Sequence, residues 1–337
     1  MRTLVTGSSS RIGLGVVAAL RGRGDEVVTL QRRPVPALEA LDVHQVAGDI
    51  RDADCVAEAV DGCDGVIHLA ARVGVVGSWD DFYSVNVDGT AVVLDAARRA
   101  DVQRFVHVSS PSVAHEGDSL VGEGAGPPVT GRRRAFYPES KALAEQLVLA
   151  PSSATTRVVA IRPHLVWGPG DEQLVGRIVA RARAGRLAVV GTGAALVDTT
   201  YVDNAVDALV AAFDALEPDA DCVGQAYVIA NGEPRPIVEL IAGICAAAGA
   251  PFAPRHVPLR IARPAGALVE RVWATVAPNA EPPITAFVAE QLGTAHWFDP
   301  RPAAADLGWR ARVSIDDGLG RLGDWFAAGC PEWPEAQ

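Results

Sequence analysis

Tyr137 and Lys141 are the residues of this chain best suited to acid–base chemistry. They stand four positions apart in the sequence, so on a helix their side chains share one face. Lys141 is the sole lysine among 30 lysine and arginine residues, which suggests a position that needs a compact ammonium and not a planar guanidinium. An ammonium beside the phenol would lower the phenol pKa from about 10 toward the working range of a proton-transfer catalyst. An ordinary surface pair can have the same spacing, so the interpretation depends on other motifs.

A serine pair is the second candidate for chemistry. Ser109 and Ser110 follow the apolar run Phe105-Val106-His107-Val108, at the carboxyl end of a predicted strand. A hydroxyl at that position could hydrogen-bond a carbonyl or a carbinol, although serine is also a common turn former. The serine pair comes before Tyr137 and Lys141 in the chain and after a glycine-rich turn, and this order favours the catalytic interpretation.

The glycine-rich turn is Thr6-Gly7-Ser8-Ser9-Ser10-Arg11-Ile12-Gly13. It follows the first predicted strand and opens the first predicted helix, which is the context that a dinucleotide-binding fingerprint requires. Gly7 permits the sharp turn and Gly13 permits close packing, while the helix N-terminus offers N–H groups and partial positive charge to a pyrophosphate. Ser10 takes the place of the middle glycine of the usual pattern, and its hydroxyl could bond a phosphate.

The end of the second predicted strand indicates which dinucleotide is used. It reads Gln31-Arg32-Arg33, without the carboxylate that would bind a ribose 2′-OH and with two guanidiniums suited to a 2′-phosphate. Arg11 could add a third cation. We therefore expect NADP(H) in preference to NAD(H), although solvated surface arginines would give the same pattern. Asp49, after the third strand, could reach the adenine amino group.

Composition excludes several classes of protein. The chain has 337 residues, of which 49% are hydrophobic, and a net charge of −11, which argues against nucleic acid or an anionic membrane as the main partner. Its five cysteines are scattered and form no C-x-x-C pair, so we expect reduced thiols in the cytoplasm and no metal site. The N-terminus has no pattern of a signal peptide, and no apolar segment is long enough to span a bilayer.

Strands and helices alternate through the first half of the chain, which predicts an α/β fold with a doubly wound, mostly parallel sheet. The predicted strands are residues 3–6, 27–30, 43–47, 65–69, 104–108, 158–161 and 226–229. The predicted helices are residues 12–21, 52–60, 82–100, 137–149, 174–184, 204–215 and 236–248. Residues 117–131 are rich in glycine and proline and are predicted to form a mobile surface loop. A proline-rich stretch occupies residues 251–302.

With these motifs in this order, the whole chain resembles the extended short-chain dehydrogenase/reductase superfamily and, within it, the 3β-hydroxysteroid dehydrogenase group. Further matching segments are His68-Leu69-Ala70-Ala71, Asn86-Val87-Asp88-Gly89-Thr90, residues 162–171, residues 196–204 and Ala295-His296-Trp297-Phe298-Asp299. The segments at residues 162–171 and 196–204 are the more specific ones. They are similar to those of bacterial 2-alkyl-3-oxoalkanoate reductases of olefin hydrocarbon synthesis and of sterol-4α-carboxylate 3-dehydrogenases.

The resemblance implies a division of the chain. Residues 1–165 would form a Rossmann core that binds NAD(P). Residues 166–337 would form mainly a smaller substrate-binding lobe, with a segment of about residues 198–230 returning to the core. Relatives often dimerise through the helices that carry Asn86 and Tyr137, so a homodimer is expected, and an apolar stripe of Val85, Val92 and Ala96 permits it.

The resemblance also implies roles for individual residues. Tyr137 would be the general acid/base and Lys141 its pKa modulator and a ribose ligand. Ser110 would be the catalytic serine, because it stands three residues before Val113 as the catalytic serine of the family stands before its valine. Ser109 is the fallback. His164 would be either a proton relay or a structural histidine. The residues expected to bind the cofactor are Gly7, Ser9, Ser10, Arg11, Ile12, Gly13, Gln31, Arg32, Arg33, Asp49, Ile50, Leu69, Ala70, Ala71, Asn86, Val108, Tyr137, Lys141, Pro163 and Leu165. Those expected to contact the substrate are Ser110, His164 and Trp167.

The reaction implied by the resemblance interconverts a ketone and a secondary alcohol on a large apolar molecule. We expect NADPH-dependent reduction of a 2-alkyl-3-oxoalkanoate to the 3-hydroxy acid. A 3β-hydroxysteroid or sterol dehydrogenase is the first alternative. A nucleotide-sugar epimerase or dehydratase and a non-catalytic NADP(H) sensor are the others.

Overall fold

The computed structural model of the protein describes residues 1–115, 117–131, 135–152, 155–276 and 285–331. Its strands are β1 (Arg2–Thr6), β2 (Glu26–Gln31), β3 (His44–Ala47), β4 (Gly65–His68), β5 (Arg104–Val108), β6 (Leu120–Glu123), β7 (Arg157–Pro163), β8 (Val166–Trp167), β9 (Ala188–Val190), β10 (Leu196–Val197), β11 (Thr200–Tyr201), β12 (Ala226–Ile229), β13 (Arg235–Pro236), β14 (Arg255–Val257) and β15 (His296–Phe298). Its α-helices are α1 (Arg11–Gly22), α2 (Pro36–Glu39), α3 (Ala53–Val60), α4 (Trp79–Tyr83), α5 (Gly89–Arg99), α6 (Phe136–Leu149), α7 (Arg177–Arg183), α8 (Val202–Ala215), α9 (Ile237–Ala247), α10 (Leu259–Val276), α11 (Ala286–Gly293), α12 (Arg301–Asp306) and α13 (Ile315–Ala327).

A seven-stranded sheet forms the centre of the protein. Its strand order is β3-β2-β1-β4-β5-β7-β12, and every neighbouring pair is parallel. The prediction of a doubly wound parallel sheet is therefore confirmed. Strands β2 and β3 lie on one side of β1, and the later strands lie on the other side. In such sheets a ligand crevice opens at the carboxyl ends of the strands where the order switches, here between β1 and β4.

Helices cover both faces of the sheet, because the strands are apolar on both faces. Neighbouring residues on one strand point to opposite faces, so Leu4 packs with Phe105 on one side and Val5 packs with Val106 on the other. Helices α3 and α5 lie on the first side, whereas α1 and α8 pack together on the second. The buried strands fix the position of their carboxyl ends, where the candidate site residues lie.

The second half of the chain adds its own core around α7, α9 and α13, in which Trp167, Ile241 and Leu322 are buried. The segment of about residues 198–230 supplies α8 and the edge strand β12 to the central sheet and its helical layer. A four-stranded sheet of order β13-β10-β15-β6 lies in this part of the protein. No helix among the described residues has the length and apolar character needed to cross a membrane.

Two predicted elements differ in the structure. Residues 117–131 are not a loop throughout, because β6 lies within them and pairs in parallel with β15, a partner that is distant in the sequence. The predicted helix of residues 82–100 is divided into α4, a π-helical turn at Ser84–Asp88 and α5. Helix α4 begins earlier than predicted, at a capping box formed by Ser78 and Asp81, which satisfies the free N–H groups of its first turn.

Candidate active site

Lys141 lies buried at the carboxyl end of β5. Its side chain is 2% exposed, and its ammonium donates to the Val108 carbonyl at 2.7 Å and contacts His107 Nε2 at 3.3 Å. Burial lowers the pKa of Lys141 to about 8. The sole lysine is therefore a fixed cation inside the protein, and not a surface charge.

Tyr137 is joined to Ser110 by a hydrogen bond between their side chains. Ser110 Oγ also lies 2.8 Å from Ser112 Oγ and caps the short 3₁₀ turn Pro111–Ala114. The Ser109 hydroxyl, in contrast, is buried and has no hydrogen-bond partner among the described residues. Of the two serines, the structure brings Ser110 to the phenol.

The expected direction of the Tyr137 pKa was wrong. Burial raises the pKa of the phenol above its ordinary value, and the hydrogen bond with Ser110 only partly opposes that effect. The reason is that removal from water penalises the phenolate, while the ammonium of Lys141 is hydrogen-bonded to Val108 and His107. The phenol in this structure is therefore held in its protonated form.

A buried ion pair fixes α6, the helix that carries Tyr137 and Lys141. Glu145 and Arg162 are both fully buried, and two hydrogen bonds of 2.9 and 2.5 Å join the guanidinium to the carboxylate. The remaining Arg162 donors bond the Ala125 and Gly126 carbonyls. The sequence reasoning missed Glu145, although its position four residues after Lys141 placed it on the same helix face.

Asn86 ties the loop after β4 to α6. Its Oδ1 accepts from Arg72 N at 2.7 Å, and its Nδ2 donates to Arg72 O at 3.0 Å and to Ser140 Oγ at 2.9 Å. The side chain is fully buried. In the structure this amide is hydrogen-bonded to protein groups, and it joins the segment after β4 to helix α6.

The glycine-rich turn has the shape that a dinucleotide needs. Gly7 has φ of +70°, and a Cβ there would lie 2.6 Å from Ala70 N; a Cβ on Gly13 would lie 2.5 Å from Gly7 O. The turn therefore brings the backbone of β1, of α1 and of residues 69–70 together at the carboxyl ends of the strands, as close approach to a pyrophosphate requires. These features fit a bound nicotinamide dinucleotide.

Ser10 acts as the N-cap of α1. Its Oγ accepts from Gly13 N at 3.1 Å and donates to Gly7 O at 2.8 Å. Because the hydroxyl is directed into the turn, it replaces a missing glycine by capping the helix. The exposed Ser9 and the first helical residues, Arg11 and Ile12, present the backbone of the turn at this edge.

The end of β2 has a buried amide and two exposed guanidiniums. Ser8 donates to Gln31 Oε1 at 2.8 Å, and Gln31 Nε2 donates to Gln45 Oε1 at 2.8 Å, so Gln31 is directed inward. Arg32 and Arg33 are exposed, and neither has an ion-pair partner among the described residues. Sequence reasoning missed Ser8, whose only signal was its place between Gly7 and the helix.

The other two residues expected near the adenosine half have different surroundings. The Asp49 carboxylate accepts from Arg51 Nε at 2.9 Å and from Arg51 Nη2 at 2.8 Å, and these hydrogen bonds lower its pKa to about 2. Ile50 is buried and packs beside Gly89. Asp49 is thus ionised and already paired with a neighbouring guanidinium.

The Arg11 side chain does not join Arg32 and Arg33, contrary to the expectation. Its Nε donates to Pro169 O at 3.0 Å, and the guanidinium lies in a groove of about 780 Å³ that also contains Tyr201 and Asp203. The reason is topological. Helix α8 covers β4, β5 and β7, on the opposite side of β1 from β2, and Arg11 faces α8.

His164 has the surroundings of a structural histidine. Its Nδ1 hydrogen-bonds the Asp198 carbonyl at 2.5 Å, and its ring contacts Phe298 and His296 with centroid distances of 5.0 and 6.0 Å. Burial lowers its pKa to about 4, so the imidazole is neutral at physiological pH. His115 completes this aromatic group, with its ring centroid 4.9 Å from that of His296.

Trp167 lies in the core of the second lobe. Its side chain is fully buried, its indole N–H donates to Thr199 Oγ1 at 2.8 Å, and its ring packs against Tyr201. The structure therefore places it away from any surface that a substrate could touch. Pro163 and Leu165 are half-buried at the end of β7, beside the carboxyl ends of β5 and β12.

A small cavity of about 70 Å³ lies beside the first turn of α6. Ser112, Val113 and Pro138 line it from the core, and Ala286, Phe287 and Glu290 of α11 line it from the second lobe. The cavity thus adjoins the hydrogen-bonded pair Ser110 and Tyr137. The cavity therefore lies between the core and helix α11.

Comparison with known proteins assigns the family. A sequence profile of the 3-beta hydroxysteroid dehydrogenase/isomerase family matches residues 4–256. The chain belongs to this family. It is 44% identical, over 96% of its length and 98% of the relative's, to a 2-alkyl-3-oxoalkanoate reductase of Stenotrophomonas maltophilia. It is 35% identical, over 94% of its length and 88% of the relative's, to a 3 beta-hydroxysteroid dehydrogenase/Delta 5-->4-isomerase of Mycobacterium tuberculosis.

Solved structures of lower identity share the fold. MoeE5 in complex with UDP-glucose and NAD superposes with a TM-score of 0.74 at 24% identity, covering 98% of this chain and all of that one. UDP-glucuronic acid 4-epimerase from Bacillus cereus in complex with NAD gives 0.75 at 21% identity, with the same coverage. With its family and fold, this protein is an oxidoreductase of the extended short-chain dehydrogenase/reductase type, nicotinamide-dependent and acting on CH–OH groups.

Proposed function

We propose that this protein is an NADPH-dependent reductase that converts a long-chain 2-alkyl-3-oxoalkanoate to the 3-hydroxy acid. The observation that supports it most is the hydrogen bond between Ser110 and Tyr137, on the helix that also carries the buried Lys141, in a chain that is 44% identical to a reductase of that name along almost its whole length. The proposal includes Ser110, Tyr137 and Lys141 as the catalytic residues.

In this proposal the side chains act on the ketone oxygen. A nicotinamide held at the carboxyl ends of the strands would supply the hydride for the ketone carbon. Tyr137 donates its phenolic proton to the oxygen, and Ser110 donates a hydrogen bond to the same atom, where negative charge grows in the transition state. Burial raises the phenol pKa, which keeps Tyr137 protonated at neutral pH and suits it to the role of general acid. Lys141 supplies positive charge below the phenol.

We further propose that residues 1–165 hold the dinucleotide and that residues 166–337 mainly form the substrate lobe. The turn at Gly7 and Gly13 and the first-turn N–H groups of Arg11 and Ile12 would face the pyrophosphate. The remaining cofactor contacts expected from the sequence stay part of the proposal. The cavity of about 70 Å³ between α6 and α11 would receive part of the substrate.

The preference for NADP(H) is a separate proposal that depends on Arg32 and Arg33. Both are exposed beyond the end of β2, where a 2′-phosphate would lie. The test compares KM for NADPH and NADH in the wild type and in R32A and R33A. A rise in KM for NADPH without a change for NADH would support the proposal, and Arg310→Ala provides a control at another exposed arginine. Equal KM values for the two cofactors in the wild type would contradict it.

The test of the main proposal follows nicotinamide absorbance after the enzyme is mixed with NADPH and a long-chain 2-alkyl-3-oxo acid. Consumption of NADPH with formation of the 3-hydroxy acid would support the proposal. Oxidation of a 3β-hydroxysteroid with NAD(P)⁺, together with no reduction of the keto acid, would favour the alternative of a steroid dehydrogenase. The family profile and the relative from M. tuberculosis support that alternative.

We also propose a homodimer. Exposed aromatic side chains lie together at α4 and the start of α6: the ring of Trp79 contacts those of Tyr83 and Phe136, and Tyr83 and Phe136 are each 37% exposed. The predicted stripe does not add to this surface, because Val85 and Val92 pack against the core of the same chain and Ala96 is buried in that core. Light scattering of the wild type and of Phe136→Asp tests the proposal, which predicts the mass of two chains for the first and of one chain for the second. A monomeric wild type would contradict it.

A further inference from the structure

Two buried, stacked histidines lie in the central sheet, and one of them contacts Lys141. His68 on β4 and His107 on β5 are partners in the register of the central sheet, both are fully buried, and their rings stack with a centroid distance of 5.7 Å and an interplanar angle of 28°. Nothing in the proposed reaction uses either ring. The contact between His107 Nε2 and Lys141 Nζ at 3.3 Å connects this pair to the site.

The hydrogen bonds of His68 determine its proton position. Thr90 Oγ1 donates to the Asn86 carbonyl at 2.6 Å, so it accepts from His68 Nε2–H, which lies 3.0 Å away. His68 Nδ1 therefore carries the lone pair and accepts from Thr6 Oγ1 at 2.7 Å. Burial lowers the pKa of His68 to about 3, in agreement with a neutral ring.

The partner of His107 fixes the opposite tautomer. The lysine ammonium has donors and no acceptor, so His107 Nε2 must be the acceptor and the proton must lie on Nδ1. His107 Nδ1 has no hydrogen-bond partner among the described residues, which leaves the contact with Lys141 as the polar contact of this ring. Burial and the nearby Lys141 charge lower the pKa of His107 well below its ordinary value, so the acceptor lone pair is retained at neutral pH.

We propose that His107 is a positioning residue for Lys141. Its Nε2 and the Val108 carbonyl hold two of the three ammonium protons and leave the third for the cofactor ribose and the catalytic phenol. This inference rests on the proposed function only for the role of Lys141 in the reaction. The contact itself belongs to the chain as it folds.

The other groups that face Lys141 leave His107 with a distinct part. Tyr137 and Glu145 lie one turn away on the same helix, and the Glu145 carboxylate is paired with Arg162. His68 stacks on the His107 ring and its own hydrogen bonds join Thr6 and Thr90, although its pKa is also lowered by the charge of Lys141. Among these groups, His107 and Val108 are the ones that accept hydrogen bonds from the ammonium, and only His107 can be changed by substitution of a side chain.

The experiment uses the fact that the chain has a single lysine. In protein labelled with ¹³C,¹⁵N-lysine, one side-chain resonance reports the pKa of Lys141 and needs no substrate. H107F removes the acceptor and keeps an aromatic ring, H107Q returns an acceptor near the Nε2 position, and H68F is the matched control because it changes a buried ring that does not touch the ammonium.

We expect the pKa of Lys141 to fall by about one unit or more in H107F, since a hydrogen bond to a charged group typically stabilises that form about tenfold or more. It should return toward the wild-type value in H107Q and stay near that value in H68F. An unchanged pKa in H107F, or an equal fall in H68F, would overturn the proposal. Because no substrate is needed, failure of the keto-acid assay would leave this result independent.

A measurement on the wild type covers the case in which H107F does not fold. The ¹⁵N shifts of labelled histidine distinguish the two tautomers, and the proposal requires a protonated Nδ1 and a lone pair on Nε2 of His107. A protonated Nε2 would place two donors against each other and would contradict the proposal. In active enzyme, H107F should lower kcat about tenfold with little change in KM, as loss of one charged hydrogen bond predicts, and H107Q should recover most of it.

Discussion

Helices α6 and α10 use their side chains in opposite ways. Helix α6 buries its polar residues, Glu139, Ser140, Lys141 and Glu145, and each has hydrogen-bond partners from other parts of the chain. Helix α10 exposes large apolar residues, among them Ile261, Leu268 and Val272 at 54%, 63% and 46% exposure. Among the described residues, the apolar cluster that packs against it has three buried members: Val190, Ala262 and Ala289.

The two regions differ in how firmly their side chains are held. Each atom that would act on the substrate is attached to α6 or to the end of β5, where buried hydrogen bonds and an ion pair determine its position. Helices α10 and α11 pack on each other but bury few apolar residues. Sparse burial is typical of elements that open at low free-energy cost. In the proposed function, α6 would therefore hold the catalytic groups in fixed positions, whereas α11, which lines the cavity beside α6, would move more readily.

The largest effect should come from the phenol on α6. Tyr137→Phe removes the proton donor and should lower turnover about 10³-fold, within the range of general acid–base catalysis, while the Kd for NADPH stays near the wild-type value. Stopped-flow reduction and fluorescence titration measure the two quantities. Tyr83→Phe, the same change at an exposed tyrosine, is the control. Retained turnover in Tyr137→Phe would show that the chemistry does not depend on this group.

The buried ion pair between Glu145 on α6 and Arg162 should contribute strongly to the free energy of unfolding of the protein. Glu145→Gln leaves the buried Arg162 charge without its counter-ion and should lower the free energy of unfolding by about 3–5 kcal/mol, as measured by urea denaturation. The matched control is Asp203→Asn, which breaks the exposed pair with Arg321 and should cost about 1 kcal/mol or less. Equal losses in the two variants would remove the distinction between the anchored helix and the surface.

Acid should destabilise the catalytic edge, because buried histidines there must stay neutral. The pKa values of His68, His164 and His296 are lowered to about 3, 4 and 3, whereas the unfolded chain binds these protons near the ordinary value of about 6.5. The unfolded state therefore binds more protons below that pH, and the free energy of unfolding should fall on acidification, by up to about 1.4 kcal/mol per pH unit for each histidine.

Asp198 opposes part of this effect, since burial raises its pKa to about 6 and the folded state gains a proton there first. Three histidines outweigh one carboxyl, so the net sign stays the same. Urea denaturation at pH 7 and pH 5 measures the difference, and the exposed His44→Gln should not alter it. Stability that is unchanged or higher at pH 5 would contradict the neutral state of these rings.

The smallest effect on activity should come from substitutions in α10 and α11. Phe287→Ala in α11 enlarges the cavity beside α6 and should raise KM for a long-chain keto acid roughly tenfold, the order expected for loss of one buried apolar side chain, with kcat nearly unchanged. Leu268→Ser on the outer face of α10 is the control and should leave both constants unchanged. If Phe287→Ala lowered kcat instead, α11 would take part in the chemistry and the comparison with α6 would fail.

Local patterns in the sequence determined much of this protein. Apolar runs of strand length alternating with helical segments predicted the parallel sheet, and β5 and β12 have the predicted bounds. The turn at Gly7 and the spacing of Tyr137 and Lys141 are likewise local, because each depends on residues within a few positions of one another. Local patterns are readable from the sequence because backbone geometry repeats over short distances.

Tertiary structure decided the contacts between distant segments. The pairing of β6 with β15, the hydrogen bond of Ser110 with Tyr137, the contact of Arg11 with Pro169 and the pairing of Glu145 with Arg162 all join residues that the sequence separates. The contact of His107 with Lys141 depends on how α6 packs against β5, and the stack of His107 on His68 depends on sheet register. No local pattern specifies either, since side-chain packing determines which distant groups meet.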